Sequence, residues 1–80
     1  MDESAIYSRL TDIMRDVFDD ESIVATPQLT AKQVDGWDSL THIRFLLTVE
    51  KAFALKFSTP EIAKLQSVGD LADLLRARAA

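Results

Sequence analysis

The sequence contains no cysteine, and only two of its 80 residues are glycine and two are proline. Without thiols the chain cannot form disulfides, thiolate metal sites or a catalytic cysteine. This composition suits a reducing compartment, and we expect a cytoplasmic protein. Few glycines and prolines leave little material for tight turns, and β-branched residues never alternate with polar ones over the length of a strand. The chain is therefore expected to be all-helical.

Long apolar runs and an excess of positive charge are also missing. No stretch reaches the length of a membrane span, and the acidic start MDESAIYSRL is not typical of a secretion signal. The net charge of −4 argues against nucleic acid as a partner. With 48% apolar residues the chain can still bury a small core. We expect one monomeric domain that spans residues 1–80.

The spacing of apolar residues predicts two longer helices in the first two thirds of the chain. The first runs from about Ser4 to Phe18, and the second begins at Ser39 and ends near Ala54. A long connection, residues 19–38, separates them, and its Ile23, Val24 and Leu29 are expected to pin it to the core.

Two cap signals predict two further helices. Thr59 followed by Pro60 and Glu61 indicates a short third helix with Thr59 as its cap, and Ser67 followed by Asp70 indicates the start of a fourth. The expected fold is a small four-helix bundle with three longer helices, one short third helix and a long loop between helices 1 and 2.

The second helix has two apolar stripes, where a helix of a small bundle needs one. The first is expected to be core, with Phe53 among the most buried side chains, and it comprises Phe45, Leu46, Val49 and Phe53, continued by Phe57. The second comprises Leu40, Ile43, Leu47 and Ala54. We interpret the second as a docking surface, with part of Leu40 or Leu47 covered by the long loop.

Ser39, in the motif GWDSLT, could be a nucleophile, a helix cap or a site of attachment. His42 and Asp38 lie close in sequence, but no GxSxG elbow is present and the chain leaves little room for a substrate cleft. A partly exposed histidine at a helix end is the simpler interpretation, and one histidine without cysteine predicts no metal site. Asp38 is the better cap, which leaves the Ser39 hydroxyl pointing outward at a helix N-terminus that favours a phosphate.

The order of these features resembles the acyl carrier protein family. The resemblance rests on DSL at the start of the second helix, then Glu50 and Phe53, then EIAKLQSVGDL, and it covers nearly the whole chain. It implies a carrier that is not an enzyme, with 4′-phosphopantetheine on Ser39 and its thiol holding acyl or aminoacyl thioesters. It also implies that Asp38 and Leu40 help a phosphopantetheinyl transferase to recognise the site.

The resemblance makes the second helix the recognition helix, with Leu40, Ile43 and Leu47 facing partners. These partners would be the transferase, an acyl- or aminoacyl-loading enzyme and a downstream synthase or transferase. Fatty-acid carriers are typically acidic on this helix, whereas this sequence has Arg44 and Lys51 there. Within the general class of fatty acid or polyketide biosynthesis, the departure favours a dedicated carrier of a specialised metabolite or surface-glycan pathway over a housekeeping fatty-acid carrier.

Two matters stay open at the level of sequence. The same stripe of Leu40, Ile43 and Leu47 would suit an unmodified helical module that only docks to other proteins.

In the family an acyl chain can fold back into the bundle, but the aromatic residues near the expected pocket leave little room. They are Phe45, Phe53 and Phe57, with Phe18 and Trp37 at the loop ends. We therefore expect a short or polar cargo that stays largely outside.

Overall fold

The structure is a computed structural model that describes residues 2–34 and 36–79, so Asp35 of the predicted connection lies outside the described residues. Its helices are named α1 (Glu3–Val17), α2 (Ser39–Phe53), α3 (Thr59–Ala63) and α4 (Val68–Ala79). One turn of 3-10 helix, Ala31–Gln33, lies between α1 and α2. The expected all-helical bundle, with its short third helix and long first loop, is confirmed.

The first helix packs against both α2 and α4 and forms one wall of the core. Its start is capped by Asp2, whose Oδ1 accepts a hydrogen bond of 2.8 Å from the Ala5 amide. The side chains of α1 that are buried recur every three or four residues, as the sequence pattern predicts, and are Ile6, Leu10, Ile13 and Met14.

The connection after α1 is held to the bundle by buried side chains and by hydrogen bonds between its backbone and side chains of α1. Ile23 is buried and Leu29 is half-buried as expected, but Val24 is exposed, because it points away while its neighbour Ala25 faces the core. Arg15 Nε donates to the Ile23 carbonyl over 2.8 Å, and the Ala25 amide donates to Thr11 Oγ1 over 2.9 Å. These contacts attach the first part of the loop to α1.

The second helix buries Phe45, Leu46 and Val49, and Phe57 beyond its end is buried too. Phe53 is only half-buried, so the expectation that it would be among the most enclosed side chains is wrong. It lies in the last turn of α2 at the edge of the bundle, where the Arg9 guanidinium sits 5.9 Å from its ring centroid. Arg9 also donates to the Ala52 carbonyl over 3.2 Å, which fixes the charge over this ring.

The third helix begins one residue earlier than the cap signal predicts. Ser58, not Thr59, is the cap, because its hydroxyl accepts from the Glu61 amide while Glu61 Oε1 accepts from the Ser58 amide over 2.8 Å. This reciprocal arrangement needs a spacing of three residues, which Ser58 and Glu61 have and Thr59 and Glu61 do not.

The start of α4 is bonded to the long loop. The Ser67 hydroxyl accepts from the Asp70 amide over 3.2 Å, which confirms Ser67 as the cap. The Val68 and Gly69 amides donate to the Leu29 and Pro27 carbonyls over 2.9 and 3.1 Å. The first-turn amides of α4 thus find backbone partners in the loop.

Candidate functional site

The candidate site is built around Ser39, the first residue of α2, which is exposed. Asp38 caps this helix, as the sequence predicts: its Oδ1 accepts from the Thr41 amide over 2.9 Å and from the Thr41 hydroxyl over 3.0 Å. The Thr41 amide, and then the Thr41 hydroxyl, lower the pKa of the Asp38 carboxyl because both bonds favour the charged form. Asp38 therefore holds α2 in place, and Ser39 stands at its positive end.

A turn at Gly36 directs the next residue, Trp37, towards the core. Gly36 has φ +84, a backbone conformation that only glycine adopts readily, and its carbonyl accepts from the Asp38 amide over 3.0 Å. Trp37 packs against Phe18 and Phe45, with ring centroids 5.2 and 5.6 Å away. Phe18 and Phe45 also contact each other at 5.9 Å, so the three rings form one cluster beneath the start of α2.

His42, one turn after Ser39, is bonded to this cluster. Trp37 Nε1 donates to His42 Nδ1 over 3.0 Å, and the two rings stack with centroids 6.0 Å apart. An indole nitrogen only donates, so Nδ1 must be the acceptor and the proton of the neutral imidazole is on Nε2. Sequence reasoning placed His42 at a helix end but missed this bond, because nothing in the spacing of Trp37 and His42 specifies it.

The bond also decides against a catalytic Ser39. A general base needs a free lone pair near the hydroxyl whose proton it takes. The lone pair on His42 Nδ1 is occupied by the indole N–H, and Nε2 carries the proton. Within residues 2–34 and 36–79, no group of three or more His, Cys, Asp or Glu side chains could hold a metal ion.

Two spaces lie near Ser39. An open depression is lined by Ala31, Trp37, Asp38, Ser39 and His42. Deeper in the bundle is a cavity of about 60 Å³, walled by Phe45, Leu46, Leu65, Val68 and Leu71 and also by Trp37 and His42. Of the aromatic residues expected around such a pocket, Phe45 and Trp37 line it, whereas Phe18, Phe53 and Phe57 do not.

The second stripe of α2 is exposed, as the sequence predicts. Leu40, Ile43 and Leu47 have 68%, 55% and 52% of their surface accessible. Arg44 and Lys51 are exposed on the same helix. Glu50 Oε2 accepts from the Phe57 amide over 2.7 Å, so the acidic side chain of this region is bonded to the backbone after α2.

Among solved structures, the chain is similar to the solution NMR structure of a holo acyl carrier protein from Geobacter metallireducens. The two share 44% sequence identity and a TM-score of 0.85, over 90% of this chain and 83% of that one. No protein-family model and no curated protein matches the chain. The fold is that of a small helical carrier protein rather than an enzyme. At this identity and coverage, the chain belongs to the acyl carrier protein family.

In the part of the chain that the structure describes, none of the helices is long and apolar enough to cross a bilayer.

Proposed function

We propose that Ser39 carries 4′-phosphopantetheine and that the chain transports acyl or aminoacyl groups as thioesters on that arm. The observation that carries the proposal is the exposure of Ser39 at the first position of α2, directly after the cap Asp38. The related protein from Geobacter metallireducens is described as the holo form, which supports a prosthetic group in this chain as well.

The residues around Ser39 fit such a group. A phosphodiester on its hydroxyl would lie at the positive end of α2, where backbone amides favour an anion. The nearby carboxylate of Asp38 is bonded to the Thr41 amide and hydroxyl, which stabilise its charged form. The depression beside Ser39 leaves the hydroxyl open to an approaching transferase. When bound, the group supplies a thiol on a flexible arm, which raises the effective concentration of its cargo at each enzyme visited.

We assign partner recognition to the start and outer face of α2. Asp38 and Leu40 flank the serine and would be read by the phosphopantetheinyl transferase. Leu40, Ile43 and Leu47 form an apolar surface for the transferase, the loading enzyme and a downstream synthase or transferase.

Arg44 and Lys51 border this apolar surface and favour partners with acidic docking sites. They disfavour synthases whose docking sites are basic, so we place the chain in a specialised biosynthetic pathway. We further propose that it works as a cytoplasmic monomer.

A second candidate function follows from the same exposed stripe, which would equally serve an unmodified docking module. Intact-mass spectrometry separates the two. The purified chain is incubated with coenzyme A and a promiscuous phosphopantetheinyl transferase. We expect the mass to rise by one phosphopantetheine group. A chain that stays unmodified, while a known carrier protein in the same reaction is converted, would favour the docking module.

A further inference from the structure

The open depression beside Ser39 and the smaller cavity deeper in the bundle share part of their lining. Trp37 and His42 line both spaces, as does Ala31. The two side chains thus lie in the wall between the proposed attachment site and the interior. A cargo on Ser39 that turned inward would meet this wall first.

The two side chains of this wall are held in place by specific contacts. The Trp37 indole packs against Phe18 and Phe45 and donates to His42 Nδ1 over 3.0 Å. The cavity behind the wall measures about 60 Å³, whereas a cavity that admits benzene measures about 150 Å³. An alkyl chain can therefore enter only if side chains that line the cavity move. Leu46, Val68 and Leu71 are buried, so they have less freedom than the half-buried His42.

We propose that the Trp37–His42 pair forms the closed mouth of this cavity and determines which cargo is sheltered in it. With the hydrogen bond made, a medium-length alkyl chain stays outside, exposed to solvent and to partner enzymes. The inference rests on the proposed attachment at Ser39, but the mouth can also be tested without it.

The first test compares two cargoes on the same chain. A promiscuous transferase loads Ser39 from acetyl- or octanoyl-coenzyme A, and amide NMR spectra of the two products are compared. In the wild type we expect the amides of Leu46, Val68 and Leu71 to have nearly the same shifts with either cargo. In His42→Ala the mouth is open, and we expect the shifts of these three amides to differ between the octanoyl and acetyl forms.

The rate of thioester cleavage by hydroxylamine gives a second readout. We expect octanoyl to be cleaved about tenfold more slowly than acetyl in His42→Ala, which corresponds to a preference of about 1.4 kcal/mol for the sheltered state. Thr48→Ala is the matched control, because Thr48 lies on α2 but bonds only to the Arg44 carbonyl of its own helix. Trp37→Phe keeps a ring and removes the N–H, so it should act in the same direction if His42→Ala does not fold.

The second test uses the unmodified chain and benzene as a probe. We expect benzene to shift the same three amides in His42→Ala and to leave them unchanged in the wild type and in Thr48→Ala. If no cargo can be loaded on Ser39, the proposed function fails, while the benzene result still tests the mouth. Entry of octanoyl or benzene into the wild type would overturn the inference. Exclusion of both molecules from folded His42→Ala and folded Trp37→Phe would overturn it as well.

Discussion

Glu61 links three parts of the chain through one half-buried carboxylate. It accepts from the Ser58 amide over 2.8 Å and from Arg78 Nη1 over 2.8 and 2.9 Å. Arg78 Nη2 donates to the Lys56 carbonyl over 2.9 Å. The Ser58 amide, and then Arg78, lower the pKa of Glu61 from its ordinary value of 4.5. The charged carboxylate therefore joins α3, α4 and the segment between α2 and α3.

The lowered pKa of Glu61 predicts how stability depends on pH. Because the pKa of Glu61 is lower in the folded state, its contribution to the free energy of unfolding is complete above pH 4.5. That contribution is lost as the pH falls through the lowered pKa. Thermal unfolding from neutral pH to about pH 3 measures this. We expect Glu61→Gln to be less stable than wild type at neutral pH and less sensitive to acid. Glu21→Gln, which removes an exposed carboxylate in the long loop, should follow the wild type. An acid sensitivity of Glu61→Gln equal to wild type would contradict the account.

The orientation of His42 is a second property of a single residue. The bond from Trp37 requires the proton of the neutral imidazole to be on Nε2. Long-range ¹⁵N–¹H NMR of the imidazole at a pH where it is neutral distinguishes the two ring nitrogens. We expect Nδ1 to appear as the unprotonated nitrogen and the tautomer to become mixed in Trp37→Phe. A proton on Nδ1 in the wild type would contradict both the bond and the mouth built on it.

At the scale of helices, the join between the long loop and α4 depends on the absence of a side chain at residue 69. A Cβ on Gly69 would lie 2.8 Å from the Pro27 carbonyl oxygen, which is backbone and cannot easily move. Alanine favours helices by about 1 kcal/mol, but overpacking costs about 1–3 kcal/mol. We expect Gly69→Ala to be less stable than wild type by about 1 kcal/mol and to lose hydrogen-exchange protection at the Val68 and Gly69 amides.

Gly36→Ala is the informative comparison for that variant. Its Cβ would meet no atom within 4 Å, and its cost of about 1–2 kcal/mol would come from the positive φ. Gly36→Ala should therefore leave the Val68 and Gly69 amides protected. A Gly69→Ala protein that is at least as stable as the wild type would show that the contact with Pro27 is not tight.

The two aromatic residues of α2 should differ in their contributions to stability. Phe45 is 1% exposed, and its replacement by alanine should cost about 3–5 kcal/mol. Phe53 is half-buried at the edge, so Phe53→Ala should cost less than about 2 kcal/mol. Denaturant unfolding of both variants measures the difference. Equal losses, or a larger loss for Phe53→Ala, would contradict the packing described.

Helix positions were predictable because periodicity and caps are local signals. Asp38 and Ser67 were identified correctly because each has a side chain suited to capping and stands just before an apolar helical stretch. The burial of Phe53 was not predictable, because it depends on where α2 runs out of neighbouring helices. The exposure of Val24 and the bond from Trp37 to His42 depend on the path of the long loop, and periodicity carries no information on that path.

At the scale of the whole molecule, the charge on α2 differs in sign from that of the chain. The net charge is −4, yet Arg44 and Lys51 are exposed beside the apolar stripe. Charges at the rim of an interface act mainly on the association rate and are screened by salt. The rim of the proposed docking surface should therefore select partners by charge.

Reversing these two charges tests that selection. We expect Arg44→Glu combined with Lys51→Glu to raise the rate at which a fatty-acid synthase malonyltransferase uses the holo chain, and the gain to shrink at high salt. Lys32→Glu combined with Lys64→Glu makes the same change in net charge away from α2 and serves as the control. The same gain in both double variants would assign the effect to net charge and not to the proposed docking surface.

The central claim is that Ser39, through its position at the start of α2, carries the prosthetic group. Ser4 offers a matched comparison, because it is also exposed in the first turn of a helix and also follows an acidic residue. The most direct measurement is intact-mass spectrometry of the wild type, Ser39→Ala and Ser4→Ala after incubation with coenzyme A and transferase, with helicity checked by circular dichroism. We predict complete modification of the wild type and of Ser4→Ala, and none of a fully helical Ser39→Ala. Modification that persists in Ser39→Ala would contradict the account.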